Sequence, residues 1–567
     1  MLLISALASP AVCQATRIAD RLDPQGAYDA AGVTYFAGND AATGVEVYRT
    51  NGTTAGTQLL IDLVPGSGSS SPRDFTLLRA TVFFVATTPA TGTELYATNG
   101  AASSTWLVKD INPGAASSNP KALAVAHGFL YFQAETATNG IELWRTDGTT
   151  AGTELLVDLV PGTGSSEPSD LTRHGNFLFF TAWTPTSGRE LYVTDGTFTR
   201  MVADLSSGSS SSSPTQLLSV GKQLFFVADD GSSGVELWKT DLFGGFPKLV
   251  KDIGTGAVSG APHALVALGN RVLFAATTND GQEPWVSDGT ETGTTMLKDI
   301  AAGSGSSNPG PFARVGSSVV FAADDGTSGS ELWVSDGTPS GTKMVKELES
   351  GSSGSAIADL ISVGGRMAYF TANTTTNGRE VWRTDGTATG TVLVGEVRTG
   401  TDSSNAGGLV FSYGRVLFAA TDSSDPTRQL WALEAGATTH EVGLGAKNVG
   451  LLPHLTCDDP VLGTNATITL TTDYGALSGF LFIGFPSRNG HLDLNWASTI
   501  YVELTLPVAM FPLNTGPLGT WSVVGSIPND NSLIGERLML QAGYGPTGNP
   551  PLYADLTNGL LLTFDAN

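Results

Sequence analysis

The sequence predicts an all-β protein, a β-propeller of eight or nine four-stranded blades followed by a C-terminal β-sandwich. Two observations predict this. A unit of roughly 48 residues recurs about nine times, which is typical of propellers and other repeat folds. Each unit holds short apolar runs of strand length, separated by Gly, Asp, Asn, Ser and Pro. The predicted domains are a signal peptide over residues 1–15, a propeller over 16–448 and a sandwich over 455–567.

The repeat is marked first by a phenylalanine inside an apolar run such as LFFVA or LFAA. Successive copies are 46 to 49 residues apart. The nine positions are Phe36, Phe84, Phe132, Phe180, Phe226, Phe274, Phe321, Phe370 and Phe418. A residue type that returns at one register in every copy is expected to fill the same place in every structural unit.

Two further blocks follow each phenylalanine. The first reads ELWRTDGT in its fullest form, at residues 142–149. Its glutamate recurs at Glu46, Glu94, Glu142, Glu190, Glu236, Glu283, Glu331 and Glu380, with Gln429 in the ninth copy. The second block, such as LVKDI, ends in an acid at Asp62, Asp110, Asp158, Asp204, Asp252, Asp299, Glu347 and Glu396. These blocks build the copies, so their recurrence describes structure before it describes function.

Each unit is predicted to contain four strands. The apolar runs are short and rich in Val, Leu and aromatic residues, and none has a helical period of useful length. A fourth run precedes each phenylalanine block, for example TQLLSV before Gly221. The Asp147-Gly148 pair suits a tight turn between the third and fourth strands, because both residue types tolerate positive φ. The stretch at residues 161–168 is predicted to connect one unit to the next.

Nine copies predict nine blades, although propellers usually have four to eight. Either the ring is large or one terminal copy is degenerate. The ninth copy lacks the Asp-Gly turn, and the segment at residues 16–20 is placed to supply a closing strand. An open β-solenoid is the competing architecture.

The ELWRTDGT block resembles the ELWxxDGT repeat family of large secreted bacterial proteins. The motif stands in near-full form at residues 142–149, 190–197, 331–338 and 380–386. The resemblance covers roughly residues 20–435, as expected for a repeat array. It implies an extracellular, β-rich repeat protein and carries no assigned chemistry.

The two ends of the sequence predict export and a separate module. The first 15 residues form a short apolar run that ends in small residues, as a signal peptide does. Cys13 as a lipoprotein cysteine is a weaker interpretation. The ending from residue 527 resembles a C-terminal module of secreted bacterial repeat proteins, in which a cysteine pair is expected. Cys457 is the one cysteine there, so a free or intermolecular thiol is predicted.

Charge restricts the partners. The formal net charge of the 567 residues is −24, which disfavours nucleic acid and anionic membranes. No apolar run is long enough to predict a membrane span. The remaining partners are cations, and a glycan or a cell-surface protein bound on the broad rim of the propeller.

The repeated acids raise the question of calcium, which several carboxylate and carbonyl oxygens would bind. The alternative is that Asp caps its own turn and Glu accepts backbone N–H bonds. Most copies favour the alternative, since one loop rarely holds three acids. Two copies do hold three, and these are the predicted calcium sites: Asp229, Asp230 and Glu236, and Asp324, Asp325 and Glu331.

No catalytic residue and no cofactor are predicted. There is no Gly-x-Ser-x-Gly, no phosphate loop and no His-Glu-x-x-His, and the six histidines share no register. The predicted function is a non-catalytic extracellular binding or structural protein with an adhesive or cell-surface role. The alternative is a carbohydrate-active enzyme, a glycoside hydrolase or lyase with its site in the channel. An enzyme should show non-repeat groups on one rim, and the outliers His174 and Trp183 are interpreted as surface packing.

Overall fold

The protein is all-β and divides into two units. The computed structural model describes residues 15–412 and 414–434, together with the strands of residues 439–563 given below. These residues contain 47 strands, a single 3₁₀ turn at Ala102–Ser104 and no α-helix. One unit comprises residues 1–410 and 417–433, and the other comprises 411–416 and 434–567.

Nine four-stranded sheets make up the first unit, one for each copy of the repeat. The first strand of the chain is β1 (Thr16–Ala19). Blades one to five are formed by β2 (Gln25–Ala30), β3 (Val33–Asp40), β4 (Gly44–Thr50), β5 (Gln58–Ile61); β6 (Arg73–Leu78), β7 (Thr81–Thr88), β8 (Gly92–Thr98), β9 (Thr105–Lys109); β10 (Lys121–Ala126), β11 (Phe129–Thr136), β12 (Gly140–Thr146), β13 (Glu154–Val157); β14 (Ser169–His174), β15 (Phe177–Thr184), β16 (Gly188–Thr194), β17 (Thr199–Ala203); β18 (Thr215–Val220), β19 (Gln223–Asp229), β20 (Val235–Asp241), β21 (Lys248–Lys251).

Blades six to eight continue in the same order, and blade nine holds three strands of its own. These strands are β22 (His263–Leu268), β23 (Arg271–Thr278), β24 (Gly281–Ser287), β25 (Thr295–Met296); β26 (Phe312–Val315), β27 (Ser318–Asp324), β28 (Ser330–Ser335), β29 (Lys343–Lys346); β30 (Ala358–Val363), β31 (Met367–Thr374), β32 (Gly378–Thr384), β33 (Val392–Gly395); and β34 (Gly407–Ser412), β35 (Arg415–Ala420), β36 (Gln429–Glu434). The sequence-based assignment of four strands per unit is confirmed.

The blades are held together by the repeated aromatic residues. In blade three, Phe132 pairs with Trp144 across β11 and β12. Phe132 is fully buried and packs with Phe83 and Leu95 of blade two. All nine repeated phenylalanines are at most 1% exposed. Stacking neighbouring sheets therefore buries the positions that recur in the sequence, because one blade has no second layer of its own.

The N-terminal strand closes the ring. β1 pairs antiparallel with β36, the third strand of blade nine, and so becomes the outer strand that completes that blade. Ile18 and Leu22 are buried with Phe36 and Leu417 from the blades on either side of the joint. The predicted closing strand is confirmed. The blade count is nine, so the alternative of eight blades and the open solenoid are both wrong.

The inner strands share an irregularity. From blade one to blade eight, the first strand of each blade contacts the first strand of the next. Its second residue has a left-handed backbone in eight blades, at Gly26, Asp74, Ala122, Asp170, Gln216, Ala264, Asp359 and Gly408. In β6 and its equivalents the pairing register shifts there, as at a β-bulge. These residues form a ring of equivalent positions along the inner strands.

In the second unit the structure describes the strands. They are β37 (Thr439–Val442), β38 (His454–Cys457), β39 (Asn465–Thr471), β40 (Ser478–Gly484), β41 (Leu492–Leu494), β42 (Ser498–Ile500), β43 (Ala509–Asn514), β44 (Thr520–Ser526), β45 (Arg537–Gly545), β46 (Asp555–Leu556) and β47 (Gly559–Thr563). They form sheets of six, three and two strands. Residues 1–14, which hold most of the predicted signal peptide and Cys13, lie outside the described residues. No helix of the described residues is long and apolar enough to cross a membrane.

Candidate active site

The repeated glutamates are structural ligands of backbone groups. All eight are fully buried. Glu142 accepts hydrogen bonds from Leu159 N at 3.1 Å and Ser166 N at 2.9 Å, and also from the Ser166 hydroxyl. The carboxylate thus fixes the connection that leads into the next blade. The alternative that these glutamates accept backbone N–H bonds agrees with this geometry.

Burial raises the pKa of several of these glutamates, and the pKa of Glu380 reaches about 7. The ordinary pKa is 4.5, so the folded state binds more protons than the unfolded state between pH 4.5 and 7. The stability that Glu380 contributes is therefore present at low pH and is lost as pH rises through about 7. We expect the melting temperature to rise as the pH is lowered from 7.5 to 5.5. The rise should be smaller in Glu380→Gln, which lacks the titrating carboxyl group. Equal pH profiles for the two proteins in calorimetry would contradict this.

The aspartates of the DGT turns cap those turns. Asp147 Oδ1 accepts Thr149 N at 2.9 Å and the Thr149 hydroxyl at 2.8 Å. A Cβ at Gly152 would lie 2.2 Å from the same oxygen, so the turn needs glycine there. The same bonds recur at Asn51, Asp195, Asp288, Asp336 and Asp385. These aspartates build turns, in agreement with the Asx-turn alternative.

The acids that follow the fourth strands also cap turns. In most of these turns one carboxylate oxygen accepts a hydrogen bond from a backbone N–H group, as at Asp110. Asp110 Oδ2 accepts Gly114 N at 3.0 Å. The other oxygen is buried without a hydrogen-bond partner at Asp62, Asp110, Asp158, Asp204 and Asp252. A bound cation would satisfy such an oxygen. These buried aspartate oxygens are therefore the feature of the repeats that agrees with a calcium site in each copy.

The predicted calcium residues are engaged in turn and backbone bonds. Asp229 Oδ1 accepts a hydrogen bond from the backbone N–H of Gly231. Asp230 Oδ1 accepts hydrogen bonds from the two backbone N–H groups that follow, at residues 232 and 233. Buried Glu236 accepts the backbone of Ile253, Gly254 and Gly260. In the other copy, Asp324, Asp325 and Glu331 repeat this arrangement. Within the described residues no three acidic, histidine or cysteine side chains converge as a metal site. Calcium at these positions stays a prediction.

A serine and a histidine meet on the inner strands of blades four and five. His174 ends β14, Ser219 lies in β18, and these strands are neighbours. His174 Nδ1 lies 2.7 Å from Ser219 Oγ. The histidine ring is fully buried, whereas Ser219 is exposed. This is a nucleophile within hydrogen-bond reach of a base, with the nucleophile open to solvent.

The blade structure does not account for His174. The residue at the same place, the end of the inner strand, is apolar in seven blades: Ala30, Leu78, Ala126, Val220, Leu268, Val315 and Val363. A polar ring in an otherwise apolar position costs free energy unless its nitrogens are bonded. His174 Nε2 is buried and has no hydrogen bond of ordinary geometry, although the Lys222 backbone is close enough to affect the ring. The interpretation of His174 as surface packing is wrong, because the ring is buried.

Burial favours the neutral form of the His174 ring. Burial lowers the pKa of His174, and the Lys222 backbone and the Asp241 charge oppose that effect. With Nδ1 accepting the serine proton, the single proton of the neutral ring sits on Nε2. Asp241 itself accepts Phe243 N and Gly245 N, both at 2.9 Å, so it acts on His174 by charge. A neutral imidazole beside a hydroxyl is the protonation state that a general base requires.

Exposed aromatic residues lie around the same part of the rim. Phe243 and Phe246 belong to the turn after β20, and Phe198 belongs to the turn before β17. They are 69%, 75% and 65% exposed. Arg200 donates to Phe243 O at 2.7 Å, which ties the two turns together. The turn after β20 departs from the repeat, whereas the turn before Phe198 keeps the Asp-Gly-Thr bonds, so the non-repeat groups on this rim belong mainly to blade five.

Trp183 is not part of this cluster. It lies near the end of β15, opposite the end at which Phe177 pairs with His174. Its side chain is 38% exposed and its backbone N–H donates to Ser166 O. For Trp183 the interpretation as surface packing agrees with the structure.

The chain was compared with known proteins. No protein-family profile and no curated protein sequence matches it. Solved structures do match. A puromycin hydrolase mutant complexed with PGG is 15% identical over 62% of this chain, with a TM-score of 0.34, and a prolyl endopeptidase structure is 12% identical over 71% of this chain, with a TM-score of 0.36. The β-propeller domain of the Trilobed protease from Pyrococcus furiosus is 12% identical over 56% of this chain, with a TM-score of 0.31. The match covers 58%, 54% and 95% of those chains, respectively.

These comparisons correct the functional expectation. The matched propellers come from peptidases. This finding contradicts the expected non-catalytic binding or structural protein, and it also contradicts the alternative of a glycoside hydrolase or lyase. The identities are low, and the likeness therefore concerns the propeller fold. The chain spans little more than half the length of the first two matched proteins. Their activities remain statements about those proteins.

Proposed function

We propose that this protein is a hydrolase of acyl bonds, with peptides as its substrate class, in which Ser219 is the nucleophile and His174 the base. The observation that carries the proposal is the 2.7 Å contact between Ser219 Oγ and His174 Nδ1. The peptide class rests on the exposed phenylalanines nearby, which offer apolar surface to a substrate side chain. The peptidase names of the matched structures agree with that class but do not carry the proposal.

The reaction follows from the two side chains. Ser219 Oγ attacks the carbonyl carbon while its proton passes to His174 Nδ1. The leaving amine then takes that proton, and an acyl-serine remains. A water molecule attacks the acyl carbon, again giving its proton to His174, and the acid is released with Ser219 restored. Burial lowers the pKa of His174, which favours the unprotonated ring that a general base needs at neutral pH.

The test is labelling of the nucleophile. We expect a fluorophosphonate to modify Ser219, located by peptide mass spectrometry, and p-nitrophenyl acetate and phenylalanyl peptides to be hydrolysed. Ser219→Ala should lower the rate at least about 100-fold, since it removes the attacking atom. His174→Leu should do the same and keep the fold, because Leu78 and Leu268 occupy the equivalent places.

Ser362 provides the matched control. It holds the register of Ser219 in blade eight and is also exposed, but its hydroxyl donates to Arg314 O at 2.7 Å and has no histidine partner. Ser362→Ala should leave both labelling and hydrolysis unchanged. Labelling of Ser362 as fast as Ser219, or unaltered hydrolysis in Ser219→Ala, would refute the proposal.

Two further proposals concern the two ends of the chain. We infer export from the apolar start of the sequence, and a sandwich packing for the sheets of the second unit. Sequencing the mature N-terminus after expression in a secreting bacterium tests the first, with a start near residue 16 as the expected result.

A further inference from the structure

A cavity of about 370 Å³ lies beside the joint at which the ring closes. Its walls come from blade one and blade nine. Apolar side chains contribute Leu409, Leu417 and Leu430, and the polar wall includes Arg428. The volume is within the usual range for small-molecule sites, which are largely apolar with a few polar groups. We call it the seam cavity.

The seam cavity exists because two adjacent blades carry glycine at one register. Gly26 and Gly408 occupy the left-handed position of the inner strands, and both line the cavity. A Cβ built on either of them would meet no atom within 4 Å. The equivalent residue is Asp74 in blade two and Asp359 in blade eight, so a side chain can be accommodated in this backbone conformation. The space is therefore a property of these two copies.

Arg428 gives the cavity a cationic group that has no acid paired with it among the described residues. Its Nη2 donates to Ala419 O at 3.3 Å and Asn405 O at 3.5 Å, and its Nε is buried with no hydrogen bond. Arg189, at the same register in blade four, forms an ion pair with Glu167 at 3.2 Å. A guanidinium that no acid neutralises is suited to bind a carboxylate.

A neighbouring acid, Asp359, is held by other groups. It accepts Gly408 N at 3.3 Å and the Thr371 hydroxyl at 3.2 Å. It forms no ion pair with Arg428 within the part of the chain that the structure describes. Arg428 is thus left without a direct acid partner, although it and Asp359 both lie beside Gly407.

We propose that the seam cavity binds a small monocarboxylate with a compact apolar body, its carboxylate on Arg428 and its apolar part on the leucines. This site is separate from Ser219 and His174, which lie on blades four and five. Two sources supply such a group, a free short-chain carboxylic acid and the C-terminus of a peptide that ends in an apolar residue.

Calorimetric titration of the full chain tests the proposal, with hexanoate, hexanamide, acetyl-leucyl-leucine and its C-terminal amide as probes. We expect at least one of the two acids to bind, and its amide to bind at least tenfold more weakly. The acid that binds more tightly identifies the source. No binding by either acid, or equal binding by acid and amide, would overturn the proposal.

Variants locate the site. Gly408→Asp fills the cavity and places a carboxylate near Arg428, and Arg428→Gln removes the charge. Each should weaken binding of the acid at least tenfold. Ala122→Asp makes the same kind of change at the equivalent register of blade three, away from the cavity, and should leave binding unchanged. Unchanged binding in Gly408→Asp, if the melting temperature shows that it is folded, would place the ligand elsewhere and refute the site.

Discussion

Deleting residues 16–22 is expected to destabilise the propeller by about 5 kcal/mol, since burying Ile18 and Leu22 is worth about 1.5–3 kcal/mol each and the paired strand is lost as well. Both side chains are less than 10% exposed, and they pack on blades one and nine. Their removal uncovers Leu417 and Leu430 and leaves β36 as an open edge. We expect a large fall in the urea midpoint of the first unit, measured by near-UV circular dichroism.

The ion pairs at the joint are the matched control. Arg17 contacts Asp422, and Arg21 contacts Asp425, each at 2.9 Å. The two arginine side chains are 39% and 77% exposed, so water and salt screen these pairs and they contribute little to stability. The double variant Arg17→Gln, Arg21→Gln should therefore have a small effect. A deletion no more harmful than this variant would show that β1 does not hold the ring closed.

Replacing Glu142 with alanine is expected to cost about 4 kcal/mol, because each buried donor left without a partner costs about 1–3 kcal/mol. The carboxylate serves Leu159 N, Ser166 N and the Ser166 hydroxyl, and alanine would leave all three unsatisfied. Glu142→Gln should cost much less. Its amide oxygen replaces one of the two accepting carboxylate oxygens, and it removes the charge whose burial raises the pKa of Glu142.

The ninth copy holds glutamine at this place without using it in the same way, because Gln429 Oε1 is buried with no hydrogen bond and its Nε2 donates to Asp425 O at 3.5 Å. Gln429 occupies the register of Glu142 and is 1% exposed. Thermal unfolding of the two Glu142 variants at pH 7 is the measurement. Equal melting temperatures for alanine and glutamine would mean that the side chain fills space and is not a hydrogen-bond acceptor.

Much of the fold could be predicted because each blade repeats the same solution. Phe132 and Glu142 return in other copies since each blade must bury one face and fix one connection. The periodicity therefore revealed strand number, blade boundaries and the turn chemistry of Asp147. The N-terminal closing strand was predictable too, because the ninth copy lacked the Asp-Gly turn and a segment before the first copy could supply a strand.

The candidate sites could not be predicted in the same way. His174 and Ser219 stand 45 residues apart and meet only because β14 and β18 are neighbours in the ring. His174 was visible as an outlier, but its burial and its serine partner were not. Gly26 and Gly408 lie near opposite ends of the propeller sequence, and their cavity exists only after closure. Such pairings are made by the ring, and periodicity does not encode them.

Closure by the N-terminal strand also has a consequence for biosynthesis. Arg17 and its partner Asp422 are 405 residues apart. At about 5–20 residues per second, a ribosome needs roughly 20–80 s to make the residues between them. During that time β1 has emerged but has no strand to pair with, and the eight intervening blades can fold first. An unpaired strand of this kind is also free to complete the ninth blade of another nascent chain, which would give a domain-swapped dimer.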